Sequence, residues 1–238
     1  MPTTEALGDG EILFRVSHRF YLPVDAGHEH FLGLDGPAFI YLSLGYGVTD
    51  RVSVTLGRTN LLDEIEFSSR VAIIRQERDR SLPFSASLSA CFNLTTERPE
   101  GSGVLDAENR HVGLQLMLAR RFTDRFSLLC VPSFSSNTHE RPDGRGGVER
   151  ENTTALGVGS RFRIFEDVSL MGEWIPVLSG YETANAAWGF GIEAKEGGHV
   201  FHVFVSNAFG LTLNQYLPGG DLGGASEVRL GFNIYRTL

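Results

Sequence analysis

Lysine is almost missing from this sequence of 238 residues. Lys195 is the only one, so arginine carries nearly all the positive charge. The formal net charge is nevertheless -8, which argues against nucleic acid as a partner, since a phosphate backbone is met by a basic face. Cysteine is scarce too: Cys91 and Cys130 offer neither a metal-ligand spacing nor a disulfide framework. No run approaches the roughly 18 consecutive apolar residues of a membrane-crossing helix. With a mean hydropathy of -0.07, helical spans are excluded. A transmembrane barrel is not, because its lipid-facing and lumen-facing residues alternate and average to the hydropathy of a soluble protein. The start, MPTTEALGDG, has no basic stretch followed by an apolar one, so no signal peptide is visible. An exported chain would be a mature sequence carrying an added methionine.

What is abundant is glycine, 28 residues, with 42% hydrophobic residues in an alternating pattern. In AFIYLSLGYGVTDRVSVTLGR, residues 38–58, Ile40, Leu42, Leu44 and Tyr46 alternate with Phe39, Tyr41, Ser43 and Gly45. After a tight turn, Val52, Val54 and Leu56 alternate with Ser53, Thr55 and Gly57. A period of two on both sides of a short turn is a β-hairpin with one apolar face. The unit returns at 112–131, again with Thr-Asp-Arg at the turn, and a third time at 156–174. Single strands are expected over Glu11–Phe20, around 64–73, over Pro83–Leu94, from Trp188 to Glu193, over His199–Ser206 and from Val228 to Tyr235.

The total is twelve strands. Connections after the even-numbered strands are mostly tight, whereas those after the odd-numbered strands are mostly longer. That sorting is the habit of a bacterial outer-membrane barrel, and a soluble sandwich has no reason for it. The expected fold is all-β, a single closed antiparallel up-and-down transmembrane barrel over 11–238. An N-terminal extension at 1–10 precedes it, and both termini lie on the short-turn side. The surroundings of such a barrel are membrane lipid, and its compartment is the outer membrane.

The polar face of the strands is Gly, Ser, Ala and Asn, punctuated by Arg and Glu, as suits a crowded lumen. Aromatics gather near strand ends: Tyr46, Phe126 and Phe162 at one end, Phe92, Trp174 and Trp188 toward the other, as in interfacial girdles. The lumen charge candidates are Arg15, Arg19, Arg70, Arg161, Arg163, Lys195 and Arg229, with Glu64, Glu66, Glu173 and Glu193. Buried charges must pair or be hydrated. These either close a narrow barrel as a salt-bridge lattice or line a wet channel whose surplus of cations favours anions.

The segments ILFRVSHRF, FLGLDGPAFIYLSLGYGVTDRVSVTLGR and VAIIRQ resemble a family of bacterial outer-membrane β-barrels of unknown function. That family opens with a Ser-His-Arg-Phe strand, an FxGLDG loop and a GYG-hydrophobic-TDR hairpin. The likeness is clearest over residues 12–76. It implies fold and compartment and brings no activity. The chain departs from the usual outer-membrane ending, closing on Leu238 where Phe or Trp is customary.

Other motifs have plainer readings. Gly189-x-Gly191-x-x-Ala194 matches a loose dinucleotide fingerprint but lies inside an alternating strand, where no helix follows. His28-Glu29-His30 with Asp25 and Asp35 offers ligand types in a loop without a fixed element, and no metal or cofactor is expected. Neighbouring Ser17 and His18 point to opposite faces, so no nucleophile–base pair is visible and the chain is not expected to be an enzyme. Cys91 falls on the polar face and Cys130 on the apolar face of non-adjacent strands, which excludes a disulfide. The functional expectation is a narrow porin-like channel for small polar or anionic solutes. A structural or partner-binding barrel with a salt-bridged, plugged lumen is the first alternative, and an outer-membrane lipid hydrolase the second.

Overall fold

The computed structural model describes residues 3–76, 82–97, 103–142, 148–223 and 227–238. The turn expected around 76–81 and the middles of the loops at 98–102 and 143–147 lie at least partly outside them.

The strands are β1 (Ile12–Phe20), β2 (Ala38–Thr49), β3 (Val52–Thr59), β4 (Ile65–Ile74), β5 (Ser85–Leu94), β6 (Arg110–Arg121), β7 (Phe126–Pro142), β8 (Val148–Arg163), β9 (Val168–Ile175), β10 (Val177–Gly180), β11 (Ala187–Glu196), β12 (His199–Ser206) and β13 (Arg229–Thr237). All pairings are antiparallel. Each long strand pairs with the next, and β1 pairs with both β2 and β13, which closes a twelve-stranded barrel. The thirteenth strand, β10, continues the line of β9 past Pro176 and pairs with β8. Proline breaks the ladder because it has no N–H to give, although its carbonyl still accepts from the Leu156 amide at 3.0 Å.

The alternation expected from the sequence is inverted relative to a soluble protein. Leu42, Leu44, Leu56, Phe67 and Val203 are about half exposed, whereas the intervening Ser43, Ser53 and Gly57 are buried. An apolar belt of this size on all sides of a molecule has no place in water. It is the lipid face of a membrane barrel. Tyr46 and Phe162 mark one edge of the belt, Trp174 and Phe92 the other.

Two differences from the sequence reading concern the β7–β8 hairpin and the stretch after β9. The stretch SNTHERPDGRGGVERE, residues 136–151, reads as a polar loop, but the two strands run on to pair Pro142 with Val148, past an irregularity between Ser135 and His139. Cross-strand ion pairs replace apolar contacts there: Arg141 with Glu149 at 3.1 Å and Glu151 at 3.0 Å, and Arg150 with Glu140 at 2.8 Å. A charge-rich sequence can be strand once it stands clear of the bilayer, and opposite charges facing across a ladder support it. The second difference is β10, which takes the start of a stretch read as loop.

The termini meet as expected, with the Leu238 amide donating to the Ile12 carbonyl at 2.9 Å beside the β2–β3 turn. Both cysteines are free.

Candidate functional site: the barrel lumen

The inward positions are small because large neighbours need the room. On β12, Phe204 points inward, and a Cβ at either Gly191 or Gly231 on the flanking strands would collide with it. Tyr41 on β2 similarly covers Gly57 on β3. The glycines that imitate a nucleotide-binding motif at 189–194 therefore answer to packing across β11 and β12.

Two segments that are not wall fill the space. The first is a strap, residues 3–10, which enters from the short-turn end. Its Thr4 carbonyl accepts from the Ser87 hydroxyl at 2.6 Å, and its Glu5 carbonyl from Arg70 Nη1 at 3.1 Å. The Gly10 amide donates to the Gly47 carbonyl at 2.9 Å. A Cβ at Gly47 would overlap the Gly8 carbonyl oxygen, so β2 must be glycine where the strap crosses it.

The second insert comes from the β12–β13 connection at the other end. Its one helical turn, α1 (Leu213–Tyr216), starts with a capping box in which Thr212 and Gln215 exchange side-chain to backbone bonds. Leu213 and Leu217 pack with Ala155, Ile175, Ala187 and Ala208 as a small apolar core inside the barrel. Around it the anchors are polar. Asn214 Nδ2 donates to Glu64 Oε2 at 2.7 Å, Gln215 to the Leu61 carbonyl at 3.2 Å, and Gln115 to the Tyr216 hydroxyl at 3.3 Å. The gap bounded by Gln115, Val131, Gly157, Ile175, Tyr216 and Leu217 has no room for a water-sized sphere.

The charged candidates divide by neighbourhood. Glu64 precedes β4 and is fully buried, accepting from Asn93 at 2.7 Å as well as from Asn214. Glu66 accepts from the Tyr41 hydroxyl at 2.8 Å. Arg161 and Glu193 pair at 2.7 Å, and His202 Nε2 lies 3.2 Å from the same carboxylate. Arg229 is buried at the loop end, gripped by Asp221 at 2.6 and 2.7 Å and flanked by the rings of Tyr21 and Phe209. Glu173 faces inward on β9, between Gly159 and Gly189. Arg15, Arg19 and Arg70 share the lumen with no carboxylate within 4.0 Å among the described residues. Two candidates belong to the rim. Lys195 is exposed beside the β11–β12 turn, and Arg163 lines a shallow pocket of about 340 Å³ with Arg125 and Phe165. Strand parity is right for both, but the strand ends at the barrel mouth before either reaches the lumen.

The whole chain, residues 1–238, matches the model of a family described as a membrane bound beta barrel domain, DUF5777. The chain belongs to that family. With its closed antiparallel strands and lipid belt it is a bacterial outer-membrane protein. No curated protein matches it. Among solved structures, the COG4313 outer membrane channel from Pseudomonas putida F1 is similar with a TM-score of 0.61 and 11% identity, over 99% of this chain and 98% of that one. The Acinetobacter baumannii outer membrane protein Omp33 covers 98% and 99% with a TM-score of 0.48 and 8% identity. Likeness at such identity is likeness of fold.

Sequence reading missed the residues that hold this family member's inserts: Thr4, Glu5, Gly10, Asn214, Gln215 and Tyr216. Asn93 and Gln115, inward on β5 and β6, are the wall's share. The signal for the strap was the pair Gly45 and Gly47, two inward positions without side chains on one strand. His28, Glu29 and His30 lie exposed, and the described residues hold no cluster of three metal-ligand types.

Proposed function

We propose that the barrel is a channel for small polar or anionic solutes, held closed by the strap and the α1 loop. The observation that carries this reading is the way the lumen is filled. The strap is held by side-chain bonds from Ser87 and Arg70 and one backbone bond to Gly47. The α1 loop is held by a small apolar core, a backbone bridge between Asn185 and Gly220 and the Arg229–Asp221 pair. None of these is a bond of the barrel's own strand ladders, so both occupants can leave without unfolding a strand. The likeness in fold to the Pseudomonas putida channel is compatible with it. Arg15, Arg19 and Arg70 have no carboxylate within 4.0 Å among the described residues, and such a fixed cluster of positive charge in a low-dielectric tube raises the local anion concentration.

Single-channel recording in planar bilayers tests this. Wild-type protein should open rarely, whereas a chain without residues 1–10 and with residues 208–221 replaced by a Gly-Gly link should conduct steadily. The ends of the loop deletion already meet, since the Leu222 amide donates to the Asn207 carbonyl at 3.3 Å. Under a salt gradient the reversal potential should report anion preference, weakened by added salt. Arg15→Ser and Arg19→Ser should raise conductance and lower that preference. A barrel freed of both inserts that passes no current would overturn the channel reading. It would leave a structural barrel, the reading favoured by the ion pairs Arg161–Glu193 and Arg229–Asp221.

A further inference from the structure

Arg15, Arg19 and Arg70 stand apart from the other lumen cations in what they touch. Each guanidinium carries five N–H donors, yet among the described residues the three make four hydrogen bonds between them. Arg15 Nε donates to Ser17 Oγ at 2.7 Å. Arg19 Nη1 donates to the His18 carbonyl and to Asn233 Oδ1, both at 3.0 Å. Arg70 Nη1 donates to the Glu5 carbonyl, while its Nε is buried without a partner. The remaining contacts are ring faces, Tyr41 and Tyr235 for Arg15 at 5.0 and 5.5 Å, and Phe204 for Arg19 at 4.3 Å. Arg15 is close enough to repel both other guanidinium groups. The nearby carboxylates, Glu66 and Glu173, act on them only at longer range than an ion pair.

Three cations in one lumen, two of them against aromatic rings and all short of acceptors among the described residues, are costly in a low-dielectric interior. An oxyanion reduces that cost because the guanidinium fork matches its geometry and charge together. We propose that Arg15, Arg19 and Arg70 form a binding site for a compact oxyanion, a phosphate or a carboxylate, and that the strap's Glu5 carbonyl holds its place on Arg70. The proposal deepens the channel reading and rests on it for the solute's route through the barrel. It also gives the strap a trigger. An anion that takes Arg70 removes the side-chain bond that the described residues give the Glu5 carbonyl, and the solute loosens the segment in its own path.

The test uses the folded full chain in detergent, with inorganic phosphate as the probe at constant ionic strength in chloride. Calorimetric titration should give saturable binding. Arg15→Gln and Arg70→Gln should each weaken it about tenfold, the effect of one charge-assisted hydrogen bond. Arg161→Gln should leave it unchanged, because that guanidinium is already engaged by Glu193. A second measurement needs no variant: phosphate, and not added chloride, should speed cleavage of wild-type protein at Glu5 by a glutamate-specific protease. Absence of saturable binding, equal sensitivity to Arg161→Gln, or cleavage indifferent to phosphate would each overturn the proposal. Phosphate binding without any current would leave the site standing and remove the channel reading. Current through a barrel that ignores phosphate would do the reverse.

Discussion

Replacing Gly47 by alanine should expel the strap while leaving the barrel intact. The added Cβ falls on the Gly8 carbonyl oxygen, which is backbone and cannot swing aside. Relief requires the strap to leave β2, and its other anchors go with it. The bonds at risk are Gly10 to the Gly47 carbonyl, Ser87 to Thr4 and Arg70 to Glu5. Two neutral hydrogen bonds and one from a charged group sum to roughly 4 kcal/mol at the usual net values. That is about a thousandfold in the strap's bound-to-free ratio. The wall gains slightly, since alanine in extended backbone loses less freedom on folding than glycine. Hydrogen exchange followed by mass spectrometry reads the result directly. Amides of residues 8–11 should lose most of their protection, while those of β2 and β3 keep theirs and the melting temperature moves little. Wild-type protection at Gly10, or loss of protection along β2 itself, would refute the reasoning.

Asn214→Ala should remove one of the two donors that satisfy the buried Glu64 carboxylate and cost ~2 kcal/mol of loop anchoring. Bilayer recordings should show longer openings, and Cys91, which lies against Leu213 beside Gly113, should become reactive to a water-soluble maleimide. Leu44→Arg, on the lipid face in the middle of β2, should destabilise the barrel by about 2–4 kcal/mol in urea titrations from lipid vesicles. The same change would be tolerated if that face met water. Arg161→Ala should cost about 2 kcal/mol in the same titration, because Glu193, only 12% exposed, loses two N–H donors and keeps His202 alone among the described residues. Non-reducing mass spectrometry should find Cys91 and Cys130 unlinked, since one faces the lumen against Gly113 and the other pairs outward between Leu118 and Val158.

Strand number, pairing order and membrane face were legible from residues alone, because alternation is local. Each strand states its own two faces, and twelve such statements joined by turns leave one way to pair and close. Leu42, Leu44 and Tyr46 point outward whatever else the chain does. The same logic puts Arg15, Arg19, Arg70, Arg161 and Glu193 inward and separates the two cysteines. It fails where a strand's end matters more than its parity, as at Lys195 and Arg163, and where ion pairs carry a ladder beyond the bilayer, as at Arg141 and Arg150. The contents of the lumen were decided only by the tertiary structure. Asn214 meets Glu64 across 150 positions and Arg70 meets Glu5 across 65. Neither insert repeats with any period, and each is held by isolated contacts between distant residues. Closing the barrel brings those residues together, and no stretch of sequence contains that closure.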